Sequence, residues 1–290
     1  MKRIFGFVLV VFVLLVSCVT PSTNPGVNPE VAVEIPELFS PDLDSVNYKM
    51  PIAITVNHPV AIKEWTIQIQ PLRQAQRQST QEGDQAPRQR TPFFEHSGRG
   101  TPPSTWAWDG KSTNPRRTGE MLQSATDYMF SITVTDIFGN TTTHNDGVIT
   151  SDVLVVRDGD NLRIIVPSIM FPGNSSDLNQ VSEEDRRANT RVLRLIANAL
   201  NKYPNYRVVV EGHANPATAP GTRERTNEEN IIRPISEQRA RAVVDYLVTN
   251  HSIARSRLSF VGLGATRTVA DYTDDDENWK NRRVEFLLQR

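Results

Sequence analysis

The hydrophobic period changes partway along this chain, and that change limits the possible folds more than any other feature. Up to about residue 156 apolar side chains recur at every second position; beyond it, stretches with helical spacing are interleaved with short apolar runs. A period of two belongs to a strand with one buried face, and a period near 3.6 to a helix laid on a core. Ile52-Ala53-Ile54-Thr55-Val56 and Trp65-Thr66-Ile67-Gln68-Ile69 read as strands. Tyr128 to Asp136 is the clearest, with Tyr128, Phe130, Ile132 and Val134 on one face, and Asp136-Ile137-Phe138-Gly139-Asn140 ends it with turn chemistry. With a further strand at Val153–Val156, residues 37–156 are expected to form a β-sandwich.

The second half reads differently. Arg157-Asp158-Gly159-Asp160 is a hairpin turn leading to the strand Leu162–Val166. Val192, Leu195, Ile196, Ala199 and Leu200 define an amphipathic helix from about Glu183 to Lys202, stopped by Pro204. Tyr206–His213 is a strand. A second helix is expected to begin near Ser236 as N-cap, just after Pro234, with Ala240, Val243, Val244 and Leu247 on its apolar face. Strands Leu258–Gly262 and Val284–Leu288 complete residues 157–290 as two helices on a mixed sheet, and the chain as a whole is α+β.

Composition narrows the function. The 32 basic and 33 acidic residues balance, so no global field attracts nucleic acid. The single cysteine, Cys18, excludes an intrachain disulfide. The five histidines, at 58, 96, 144, 213 and 251, are scattered without metal-ligand spacing, and Asp274-Asp275-Asp276-Glu277 does not fit an EF-hand loop. Gly262-Leu263-Gly264 is too short for a nucleotide loop, and no nucleophile motif occurs. No enzyme, cofactor or metal is expected. Residues 73–104 are rich in Gln and Arg and poor in apolar side chains, which predicts a disordered insertion in the β-domain.

At the N-terminus, Lys2 and Arg3 precede an apolar run, Ile4–Val16, of signal-peptide length and short of the ~20 residues that span a bilayer. Leu15-Val16-Ser17-Cys18 resembles the bacterial lipobox. That resemblance implies that residues 1–18 are a signal segment and that Cys18 is acylated, which gives a lipoprotein held at a membrane. An ordinary secretory peptide or an uncleaved anchor is the alternative. Residues 19–36, with their Pro, Gly and small polar residues, read as a flexible tether. Val19 is not the Asp that marks inner-membrane retention in enteric relatives, so the implied location is the outer membrane, facing the periplasm.

Two further resemblances concern the folded parts. Phe39-Ser40-Pro41-Asp42, Trp108-Asp109-Gly110, Tyr128 to Val134 and Asp136 to Asn140 resemble the Ig-like domain of FlgD-type surface proteins, which implies a spacer or a contact module for envelope proteins. Across residues 157–290 the chain resembles the OmpA C-terminal domain. The matching pieces are Ile169-Met170-Phe171, Asn174 to Leu178, Val208 to His213, Ile235 to Ala240, Gly262-Leu263-Gly264 and Asn281 to Glu285. The form with a long loop after Gly212-His213-Ala214-Asn215 is similar to spirochaete OmpA-like lipoproteins.

The OmpA resemblance implies non-covalent binding of the peptidoglycan stem peptide, with an Asp and an Arg gripping the charged ends of a diamino acid. Arg239 would take the carboxylate as a bidentate fork, helped by the helix N-terminus three residues earlier. Ala214, Asn215, Ser236 and Arg282 complete the expected ligand set. One of Arg282 and Arg283 is expected in the groove and the other elsewhere, and His213 is expected to be a structural hydrogen-bonder. Asn215 stands where the family has its Asp, and a neutral amide cannot supply the anion. Three readings stay open: Glu228 or Glu229 from the long loop replaces it, the site takes a different diamino acid, or the domain has become a structural or protein-interaction module.

Overall fold

The computed structural model describes residues 24, 26–40, 49–72, 91–167, 169–172, 175–216, 228–274 and 277–290, with Asp146 and Glu229 described by backbone alone. The first half contains β1 (Glu30–Glu34), β2 (Met50–Asn57), β3 (Ile62–Pro71), β4 (Phe94–Arg99), β5 (Thr105–Trp108), β6 (Asp127–Asp136) and β7 (Thr141–Thr150). They form a three-stranded sheet, β1-β2-β5, and a four-stranded sheet, β4-β3-β6-β7. The alternating faces meet in one core: Ile52, Ile54 and Trp108 from the first sheet against Trp65, Ile67, Tyr128, Phe130 and Ile132 from the second.

The turn motifs act as clasps on this core. Gly110 has φ +80°, which lets Trp108 donate from Nε1 to the Lys111 carbonyl at 3.1 Å while Asp109 accepts from the Lys111 N–H at 3.0 Å. The Phe39 ring packs 5.8 Å from that of Trp108. Fully buried Asp136 accepts from the Phe138 and Asn140 backbone N–H groups and pairs with His58 at 2.9 Å. Burial alone would raise its pKa, but these bonds hold it down at about 2.

Two expectations fail here. The tether assigned to 19–36 contains β1, paired antiparallel with β2, because Val31 and Val33 alternate onto the core. Within the insertion assigned to 73–104, residues 91–104 belong to the fold: Phe93 and Phe94 are buried, and β4 pairs with β3. Gly98 lies so close under the Trp65 indole that a Cβ there would collide with it. Residues 73–90 lie outside the described residues, as do Cys18, the signal segment, Pro41 and Asp42.

The second half contains β8 (Val155–Asp158), β9 (Asn161–Val166), α1 (Glu183–Asn201), β10 (Arg207–His213), α2 (Arg233–His251), β11 (Leu258–Gly264) and β12 (Val284–Gln289). The sheet order is β11-β10-β12-β9-β8, with β10 and β11 parallel and the other pairs antiparallel. The β8–β9 hairpin turns at Gly159, φ +60°, where the Asp-Gly signal placed it. The strand expected at Val153–Val156 as the end of the β-sandwich is instead the edge strand β8 of this second sheet, and Val153 and Val155 pack on the second core. Both helices cover one face, burying Val192, Leu193, Ile196, Leu200, Ala240, Val243, Val244 and Leu247 against Val208, Val210 and Phe286.

Helix α1 begins as expected, its N-cap Ser182 accepting from the Asp185 N–H at 3.1 Å. Helix α2 does not. It starts at Arg233, one turn before Ser236, and a π-helical turn, Glu228–Ile232, runs directly into it. Pro234 in the first turn explains the shift, since its missing N–H is one the helix could not have satisfied there.

Candidate functional site

Two carboxylates sit inside the second sheet. Glu211 on β10 faces Glu285 on β12 in register, and both are buried. Like charges so placed repel, and guanidinium groups resolve the conflict. Arg163 on β9 bridges them, its Nη1 2.8 Å from Glu211 Oε2 and 2.6 Å from Glu285 Oε2. Buried Arg283 donates from Nε to Glu285 Oε1 at 2.6 Å and from Nη2 to the Arg267 carbonyl at 3.0 Å. Burial acts to raise the Glu285 pKa, but the Arg283 charge and the hydrogen bonds from Arg283 and Arg163 together hold the carboxyl below its ordinary value.

His213 completes this cluster at the end of β10, only 2% exposed. Its Nε2 lies 3.6 Å from Glu285 and 4.0 Å from Glu211, and among the described residues neither ring nitrogen has a hydrogen-bond partner. The expectation of a structural hydrogen-bonder therefore fails. Burial, and then the Arg283 charge, push its pKa down to about 4, so the ring is neutral at pH 7. Glu211, His213 and Glu285 are close enough to share an ion, but both carboxylates are already bonded to guanidinium groups, and a dication would have to displace them.

A cleft of about 930 Å3 opens beside the cluster, with His213, Arg239, Trp279, Arg282 and Arg283 along it. Helix α2, which carries Arg239, approaches the sheet closely at two glycines. A Cβ at Gly212 would collide with the Ser236 carbonyl oxygen, and one at Gly262 with that of Arg233. Ser236, fully buried, donates to the Arg233 carbonyl at 2.8 Å and accepts from the Gly264 N–H at 3.0 Å, so it fastens helix to strand.

Arg239 is half-buried. It donates from Nε to the Ser175 carbonyl and from Nη2 to the Pro172 carbonyl, each at 3.1 Å, and its guanidinium lies 5.2 Å over the Phe171 ring. These contacts fix its plane and leave the Nη1 edge as the one a carboxylate could take. Burial, with Arg282 nearby, lowers its pKa, and no carboxylate among the described residues is within salt-bridge distance of it. Arg282 is exposed at the cleft.

The other expected residues stand outside the lining. Asn215 accepts at Oδ1 from Asn281 Nδ2 at 2.9 Å, and buried Ala214 donates its N–H to the Gly264 carbonyl at 2.8 Å. Glu228 accepts from the Ala265 N–H at 2.9 Å, which makes it a clasp on the end of β11. The Glu229 side chain lies outside the described residues. Arg239 stands in the second turn of α2, so the helix N-terminus expected to assist it lies a turn away. Arg282 and Arg283 both reach the cleft, although Arg283 is tied into the buried cluster.

Sequence reasoning missed the Arg163–Glu211–Glu285 network, although charged residues inside apolar strands were a usable sign of buried pairing. It also missed the part of the cleft lining that comes from the β-domain, including Leu72, Asp127 and Val148. No sequence pattern marks that part, since it depends on how the domains dock.

Residues 170–282 match the model of the OmpA family, and this region is an OmpA-like domain. A stretch of 101 residues is 33% identical to the peptidoglycan-binding protein ArfA of Mycobacterium tuberculosis, covering 35% of this chain and 28% of that protein. Another of 90 residues is 40% identical to the peptidoglycan-associated lipoprotein of Mesorhizobium japonicum, covering 31% of this chain and 47% of that one. The chain thus spans less than half the length of either relative. Among solved structures, a putative MotB-like protein from Desulfovibrio vulgaris aligns over 48% of this chain and 79% of its own, with 23% identity and a TM-score of 0.38.

Proposed function

We propose that this chain binds peptidoglycan non-covalently through the cleft of its OmpA-like domain, and that acylated Cys18 ties it to the outer membrane from the periplasmic side. The observation that carries the reading is Arg239: a half-buried guanidinium, oriented by two carbonyls and a ring, beside a second cation and open to a cleft. Such a group is built to receive a carboxylate, and the stem peptide of the cell wall offers one on its diamino acid. The relatives named for peptidoglycan support the choice of ligand. The β-domain, read as Ig-like, acts as spacer and as a contact surface for envelope proteins. The role is binding, not catalysis.

The test is co-sedimentation of the chain with purified sacculi, competed by a synthetic stem peptide that contains a diamino acid. Wild type should pellet and be released by the peptide. Arg239→Ala should lose about 2–5 kcal/mol of affinity, the usual cost of stripping one partner from a desolvated charge pair. A wild type that stays in the supernatant, or an Arg239→Ala protein that pellets equally well, would overturn the reading and favour an interaction module.

A further inference from the structure

We propose that the ligand site is shared by the two domains: the OmpA-like domain holds the carboxylate of the diamino acid, and the β-domain contacts the rest of the stem peptide. This rests on the peptidoglycan reading above. The cleft does not end at the arginines. Its lining continues onto the β-domain, with Pro71 and Leu72 at the end of β3, Thr126 and Asp127 at the start of β6, and Val148 on β7. Its volume, about 930 Å3, lies near the top of the ~300–1,000 Å3 range of small-molecule sites and exceeds what one amino-acid head would fill.

The β-domain side is held in place. Arg117 pairs with Glu277 at 2.8 Å, both ends largely shielded from solvent. Lys280, buried, sits between Glu277 and Glu120, and Asp127 itself pairs with Arg191 of α1. Ala125 belongs to the core of the OmpA-like domain, and its N–H donates to the Asp152 carbonyl at 3.1 Å. The residues just before β6 are therefore packed on both domains, and the cleft wall they begin is a fixed surface. A peptide whose carboxylate is anchored on Arg239 has that surface within the same cleft, with apolar side chains and the Asp127–Arg191 pair to meet its backbone.

Val148 offers the cleanest probe. It is 42% exposed on a strand, so a charged replacement is tolerated by the fold. A stem peptide keeps further carboxylates beyond the one on Arg239, its C-terminus among them. Val148→Glu should weaken binding of a synthetic stem tetrapeptide about three- to tenfold, and Val148→Lys should strengthen it by a similar factor, as expected for one charge at partly screened distance. The free diamino acid, which reaches only the arginine end, should bind both variants like wild type. Calorimetry on the full-length chain measures all of these, with thermal melting as the check on folding. Opposite changes for the tetrapeptide support the proposal, and so does equal weakening with unchanged melting, through bulk instead of charge. If both variants bind the tetrapeptide like wild type while Arg239→Ala loses it, the peptidoglycan reading stands and the shared site is overturned. A wild type that binds neither probe overturns both.

Discussion

Acidification should destabilise the OmpA-like domain through His213. The imidazole is enclosed beside Arg283 and Arg163, with no hydrogen bond among the described residues to favour its protonated form. Its pKa is 6.5 in the unfolded chain and about 4 in the folded one. Between those values the unfolded chain carries a proton that the folded chain does not, so stability is fully present above pH 6.5 and falls as pH drops towards 4. At ~1.4 kcal/mol per pH unit the full loss approaches roughly 3 kcal/mol. Glu285 is held below its ordinary value, so its contribution disappears further down. Urea unfolding at intervals from pH 7 to pH 4 measures the slope. His213→Phe keeps a ring of similar shape, sacrifices no hydrogen bond, and should flatten the curve in that window. An unchanged slope in His213→Phe would refute the assignment.

Three further outcomes are expected. Gly212→Ala should cost about 1–3 kcal/mol in urea unfolding, because its methyl group would meet the Ser236 carbonyl and lift α2 from the sheet. Asn215→Asp should change binding of the stem tetrapeptide by less than about 1 kcal/mol, because Asn215 stands outside the cleft lining and its side chain is held by Asn281 Nδ2 at 2.9 Å. A gain of about tenfold in calorimetry would place the ligand's ammonium beside residue 215. Cys18→Ala should abolish incorporation of a labelled fatty acid, since the chain has no second thiol, and a variant that is still labelled would end the lipoprotein reading.

Periodicity located most of the strands and both helices because each presents one face to a core, and a buried face is written as spacing. It failed where the face is short or the residue types mislead. The segment Glu30–Glu34 only partly buries Val31 and Val33, too little alternation to stand out among prolines and polar residues. Phe94–Arg99 reads Phe-Glu-His-Ser-Gly-Arg, which has no β-branched residue; it is a strand because its backbone pairs with β3 and its glycine admits Trp65. Arg239 was legible through the motif around it. The ion network was legible only as an oddity, a Glu in the middle of an apolar strand, because its partners lie 48 and 122 residues apart in sequence.

The displaced start of α2 changes where the binding energy comes from. With Ser236 as cap, Arg239 would have shared its anion with free backbone N–H groups and the positive end of the helix. Pro234 and the preceding π-helical turn move that end a full turn away, so the carboxylate must be held by side chains. Burial and then the Arg282 charge disfavour the charged form of Arg239. A bound carboxylate relieves both penalties at once, whereas a neutral ligand relieves neither. The two carbonyls and the Phe171 ring that orient Arg239 therefore matter twice: they hold the fork at a fixed angle, and they keep the guanidinium in a place where only an anion completes its environment.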